Sequence, residues 1–113
     1  MIEIKNLRTE NLVHPYDVRV DRVSALGNRY YMKREQDRDA VCEKYETYFN
    51  DVVNNVATGP LSGALKAELL RLIGIHKEHG KLRLFCWCSP KRCHAEVIRK
   101  YIIEHPEETS HGQ

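Results

Sequence analysis

The order of apolar patterns along the chain predicts a small α/β fold: a Rossmann-like three-layer sandwich on a short, mainly parallel sheet. Three observations predict it. Two stretches near the start alternate apolar and polar residues, two longer stretches repeat apolar residues every three or four, and one compact apolar run precedes a last helical stretch. The order strand, strand, helix, helix, strand, helix brings the last strand beside the second. A crossover through the helix pair makes the two run the same way.

The first strand is MIEIKNLR, with period two. The second is YDVRVDRV, with Val18, Val20 and Val23 set against Arg19 and Asp21. In SALGNRYY the pair Gly27-Asn28 marks a loop, because both residues tolerate positive φ. From about Glu35 the period becomes helical, with Val41, Tyr45, Tyr48, Val52 and Val56 on one stripe. TGPLSG interrupts it. Leu61, Leu65, Leu69, Leu72, Ile73 and His76 then make a second helix that ends near Gly80. KLRLFCWC, residues 81–88, reads as a buried strand. Ser89 stands where an N-cap belongs and Pro90 where a helix opens, so a third helix is expected over 91–105. It carries Val97, Ile98, Tyr101 and Ile102 on one face and stops at Pro106. Residues 1–106 thus read as a single α/β domain and 107–113 as a polar tail.

The totals narrow the function. A chain of 113 residues suits one domain, and 42% hydrophobic with 30% charged residues suits a packed globule. A net charge of +2 is no basic footprint. Nucleic acid would have to use Lys91, Arg92, Arg99 and Lys100 alone, and that partner is disfavoured. The first twelve residues lack a signal-peptide pattern, and no apolar run approaches the roughly 20 residues that span a bilayer. The expected location is the cytoplasm, away from membranes. In that reducing compartment the four cysteines are thiols or metal ligands.

The chemistry concentrates in LFCWCSPKRCHAEVI. Ligands of open α/β sheets sit beyond the carboxyl ends of strands. Two distinctive loops, RVSALGN and CSPKRCH, leave such ends. Several readings of the second loop compete. Cys86, Cys88, Cys93 and His94 could hold zinc as three sulfurs and one nitrogen, although adjacent helical residues diverge by about 100°. The spacing from Cys86 to Arg92 resembles the phosphate loop of cysteine phosphatases. Against that stand Phe85 and Cys93 at that family's His and hydroxyl positions, the lack of a loop glycine, and Pro90 without an N–H. The thiols could also simply pack, as a buried Cys42 does in the first helix. The reading preferred here is a polar ligand pocket. An anion meets the helix start at Ser89, Lys91 and Arg92, while Arg22, Ser24, Gly27 and Asn28 form its other side.

DRVSALGNRYY, RDAVCEKYETYF and LRLFCWCSPKRCHAEVI together resemble an uncharacterised family of small bacterial and phage domains, domain of unknown function number forty-three twenty-six. The similarity runs from roughly Tyr16 to Ile103. Position by position it covers Arg22, Ser24, Leu26, Gly27 and Asn28, then Cys86, Trp87, Cys88, Pro90, Cys93 and His94. Arg29-Tyr30 departs from that family's usual Pro-Phe. The resemblance implies a Rossmann-like fold, a phage origin and one site made from both loops. It implies no established activity.

The expected function is therefore binding of a nucleotide-like or other anionic small molecule at the strand ends. Cys86, Cys88 or His94 would serve as nucleophile or acid–base if there is turnover. Whether the protein is an enzyme, or a non-catalytic binder that sequesters a signalling nucleotide of a host, stays open. So does a zinc-stabilised module that docks on a host protein through Trp87 and the tyrosines.

Overall fold

Leu82–Cys86 is apolar at every position but Arg83, which is the pattern of a strand covered on both faces. The computed structural model, which describes residues 1–105, makes it the centre of the sheet. β1 (Ile2–Asn6) and β2 (Asp17–Arg19) flank β3 (Leu82–Cys86), all three are parallel, and the order is β1-β3-β2. The expected neighbours β2 and β3 are paired, with Val18 opposite Leu84. Ile4 lies opposite Leu84 on the other side. Alternation then puts Ile2, Ile4, Val18, Leu82, Leu84 and Cys86 on one face, where all but Ile4 belong to the main core and Ile4 packs against it.

The opposite face carries Arg83 and Phe85. Arg83 is buried, so its charge needs partners. It finds Asp17 at 3.4 Å, Glu3 at 3.9 Å and a closer contact with Glu10, and its guanidinium lies 5.3 Å from the Phe85 ring centre. Asp17 also accepts the Val13 and His14 N–H groups, each at 2.8 Å.

Three helices supply the rest of the core. A 3-10 turn at Glu35–Asp37 leads into α1 (Arg38–Val53), followed by α2 (Pro60–His79) and, after β3, α3 (Ala95–Glu104). α1 buries Cys42, Tyr45, Phe49 and Val52. The expected stripe shared Tyr45 and Val52 but placed Val41 and Tyr48 where Cys42 and Phe49 stand. Tyr48 is only partly buried, as a residue with a polar tip can be. The helix ends three residues short of Val56, which is exposed. Asn55 takes φ 63°, a left-handed conformation that Asn tolerates, and both Val56 and Ala57 turn back to the Asp51 carbonyl. α2 buries Leu65, Leu69, Leu72 and Ile73 as expected, while Leu61 in its first turn faces outward. Gly80 ends it with φ 67° and an N–H to the His76 carbonyl at 2.8 Å. β2 is shorter than its alternation suggested. Val20 still donates to the Phe85 carbonyl at 2.9 Å, but the chain then turns at Asp21 and leaves Val23 exposed.

The third helix begins at Ala95 and not at 91. Ser89 does not cap it. Its hydroxyl donates to the Ile4 carbonyl (3.3 Å) and its own carbonyl accepts from Asn6 Nδ2 (2.6 Å), so it is strapped to the end of β1. Residues 89–94 are therefore a loop, so Ser89, Lys91 and Arg92 do not stand at a helix start. The helix stop at Pro106 and the tail over 107–113 lie outside the described residues. Among the described residues, no helix is long and apolar enough to cross a membrane.

One side chain ties α1 to the first loop. Tyr45 is fully buried and its hydroxyl donates to the Leu26 carbonyl at 2.8 Å. Burial also pushes its ionisation well above the ordinary tyrosine range. Tyr45→Phe should cost about 1–3 kcal/mol, because a buried carbonyl loses its donor. A lower urea midpoint at unchanged slope is the check.

Candidate functional site

The loops leaving β2 and β3 meet above the sheet. The first is shaped by its own short bonds. Ser24 Oγ accepts the Leu26 N–H (3.1 Å) and the Ser24 carbonyl accepts the Gly27 N–H (2.9 Å). A Cβ on Gly27 would stand 2.4 Å from the Asp21 carbonyl oxygen, so only glycine fits. Asn28 Oδ1 accepts the Tyr30 N–H at 2.8 Å. Arg22 donates to the Asn28 and Tyr30 carbonyls at 3.3 and 3.4 Å and lies 3.9 Å over the Tyr31 ring. Ser24 and Gly27 thus build the loop, while Arg22 and Asn28 line what lies inside it.

Asp21 joins the loops. Its Oδ2 accepts the Trp87 indole N–H at 2.8 Å, and Arg19 Nε donates to its Oδ1 at 3.1 Å. Burial alone would raise its pKa, but these two donors hold it below the usual carboxylate value. His94 is held from below. Its Nε2 bonds to the Val20 carbonyl and its ring meets Tyr45 edge-on at 5.1 Å. Burial depresses its pKa and so favours the neutral imidazole, and because a carbonyl can only accept, Nε2 is the donor of that bond.

Three thiols gather at the end of β3. Cys86 and Cys93 are buried with their sulfurs 3.2 Å apart, and Cys88 is half-buried. Cys93 lies within hydrogen-bonding distance of Cys86, and its thiol favours the thiolate form of both Cys86 and Cys88. It lowers Cys86 to about 6, helped by the backbone N–H groups of Cys88 and Ser89. It lowers Cys88 to about 5, helped by the Arg38 guanidinium. The same contacts, with Cys86 first and Cys88 next, together with burial keep the proton on Cys93 and drive its own pKa far upward. Cys42 is buried in α1 as expected, and burial raises its pKa.

The remaining expected residues fall less centrally. Lys91 reaches Glu35 at 3.4 Å, and Arg92 binds Asp39 at 3.0 Å while lining the cavity. Arg38, Asp21, Trp87 and Asn6 matter more than the sequence suggested. Arg38 donates to the Arg92 carbonyl (2.8 Å) and pairs with Glu35, which it holds at about 2. It opens α1 within a run of mixed charges, REQDRD, that gives no local signal. Asn6 also donates to the Trp87 carbonyl at 3.4 Å, from a position 81 residues away.

These groups enclose a cavity of about 320 Å³, lined by Arg22, Arg38 and Arg92, by Tyr30, Tyr31, Met32 and Trp87, by Asp21, Asn28 and His94, and by all four cysteines. Such a volume falls at the small end of ligand sites, which span roughly 300–1,000 Å³. A second cavity of about 310 Å³ adjoins it through Arg22, Asn28 and Tyr31 and is bordered by Ser24, Gly27 and Arg29. Ser89 and Lys91 line neither. Among the described residues, no three of His, Cys, Asp and Glu are arranged to hold one metal ion.

Comparison with curated proteins and with solved structures gives no significant match. A family model described as Domain of unknown function (DUF4326) matches residues 4–104, reaching further toward the amino end than the motif-bearing stretch from Tyr16. With nearly the whole chain matched, the protein belongs to the family described as Domain of unknown function (DUF4326).

Proposed function

We propose that the protein binds a nucleotide-like, anionic small molecule in the cavity at the carboxyl ends of β2 and β3. One observation carries this reading. The same cavity offers three guanidiniums against one carboxylate and several aromatic faces. Guanidiniums take phosphate or carboxylate bidentately, and aromatic faces take a flat ring. Arg38 and Arg92 already hold carboxylates, whereas Arg22 holds only carbonyls and a ring, so Arg22 is the cation freest to take a ligand's anion. The low-pKa thiols beneath give such a site nucleophiles. Turnover would make it an enzyme, and its absence would make it a binder that sequesters a nucleotide, in a host cell if the chain is phage-encoded.

Thermal denaturation with a panel of nucleoside mono-, di- and triphosphates tests the reading. One class should raise the melting temperature, and a ligand at a hundred times its Kd stabilises by about 2.7 kcal/mol. Arg22→Ala should weaken that ligand about tenfold or more, the effect of losing a charge-assisted hydrogen bond. Chromatography of the incubated nucleotide then separates enzyme from binder. No stabilisation by any member, together with one zinc per chain and three protected thiols, would replace this reading with a metal-stabilised interaction module.

A further inference from the structure

The thiol cluster has a geometry that ligand binding does not require. Two buried sulfurs touch, at 3.2 Å between Cys86 and Cys93, and a third, on Cys88, stands half-exposed at the cavity wall. A disulfide needs sulfurs about 2.05 Å apart, so a side-chain adjustment of roughly 1 Å closes the pair. The half-exposed thiol is the one an incoming molecule can reach. Arg38 and the backbone N–H groups of Cys88 and Ser89 stabilise negative charge on the sulfurs. We infer that Cys86 and Cys93 are a reversible dithiol–disulfide pair, and that Cys88 is the thiol through which a small anionic disulfide oxidises it. This does not depend on the ligand being a nucleotide.

The exchange balances. Cys88 thiolate attacks one sulfur of the small disulfide, the S–S bond breaks, and one small thiolate leaves. Cys93, its proton passing to the Cys86 thiolate, attacks the Cys88 sulfur and expels the second small thiolate. Cys86 then loses that proton to solvent and attacks Cys93, and Cys88 departs as thiolate. The small disulfide has gained two electrons and the Cys86–Cys93 pair has lost them. Cys88 is the best leaving group of the three because it is the most acidic, so the link comes to rest on the buried pair.

The test mixes the protein with 5,5′-dithiobis(2-nitrobenzoate), an anionic aromatic disulfide whose thiolate is coloured. Wild type should release about two equivalents in a fast phase with no aryl group retained. Mapping after cleavage at Trp87 and Arg92 should find Cys86 linked to Cys93 and Cys88 free to alkylate. Cys93→Ser, whose hydroxyl keeps a donor, should release about one equivalent and hold the aryl group on Cys88. Cys86→Ser should still release about two but leave a Cys88–Cys93 link. A fast phase that survives Cys88→Ser, or wild-type protein that carries an aryl group on each reacted cysteine, would overturn the proposal. Neither result bears on the nucleotide panel, which reads stabilisation with the thiols reduced.

Discussion

Gly27→Ala should lower stability by about 1–3 kcal/mol and abolish the effect of any cavity ligand, because the new methyl has nowhere to go. It would stand 2.4 Å from the Asp21 carbonyl oxygen and 2.7 Å from the Arg22 Cα, both main-chain atoms that a rotamer change cannot clear. Relief must come from moving the loop, and that loop carries Arg22, Asn28 and the Asp21 partner of Trp87. Gly63→Ala is the control. It lies inside α2 with nothing within 4 Å of the added carbon, so the exchange should stabilise by up to about 1 kcal/mol. Urea midpoints of the two variants should therefore move in opposite directions. A Gly27→Ala protein as stable as wild type would mean that the loop does not follow this path.

Cys93→Ala should make the cluster ordinary. Cys93 is the leading cause of the low values at both Cys86 and Cys88, so removing its S–H should raise their alkylation midpoints from about 6 and about 5 toward the usual thiol value. With that value near 8.5, the thiolate fraction at pH 7 falls several-fold, up to about thirtyfold for a full return. The sign for stability follows from linkage. Both folded values lie below the unfolded one, so the unfolded chain binds more protons between them. The contribution of Cys86 and Cys88 is complete above the unfolded thiol value and is lost as pH falls through about 6 and then about 5, while the raised Cys93 acts the other way above the unfolded value. Cys93→Ala should flatten that acid-side slope. Iodoacetamide rates against pH, read at each cysteine by peptide mapping, decide it. Unchanged midpoints would mean that Cys93 does not donate to its neighbours.

Most of the frame was legible because it follows from periodicity. Ile2 and Ile4, Val18 and Val20, and Leu65, Leu69 and Leu72 of α2 sit where alternation or a helical stripe puts them. The pairing of β2 with β3 follows from a crossover rule, and the meeting of the two loops follows from that pairing. The failures came from bonds that no local pattern records. Ser89-Pro90 has the look of a helix start, but the Ile4 carbonyl and the Asn6 amide claim Ser89, some 83 to 85 residues away. In α1 the neighbouring pairs Val41/Cys42 and Tyr48/Phe49 are all apolar or amphipathic, so the stripe could settle a residue over. Arg38 was one charge among many until folding set it beside Cys88. Cys86, Cys88 and Cys93 do converge, while His94 turns to the Val20 carbonyl.

Trp87 makes ligand binding in the cavity directly measurable. It is the chain's single tryptophan, it is half-exposed, and it lines the cavity beside the arginines. Its fluorescence, titrated with the nucleotide that most raises the melting temperature, reports on this one place. Binding in the cavity should give a saturable change that Arg22→Ala shifts to higher concentration and added salt weakens. A nucleotide that stabilises the fold while leaving Trp87 unchanged, or no saturable change with any nucleotide, would contradict it.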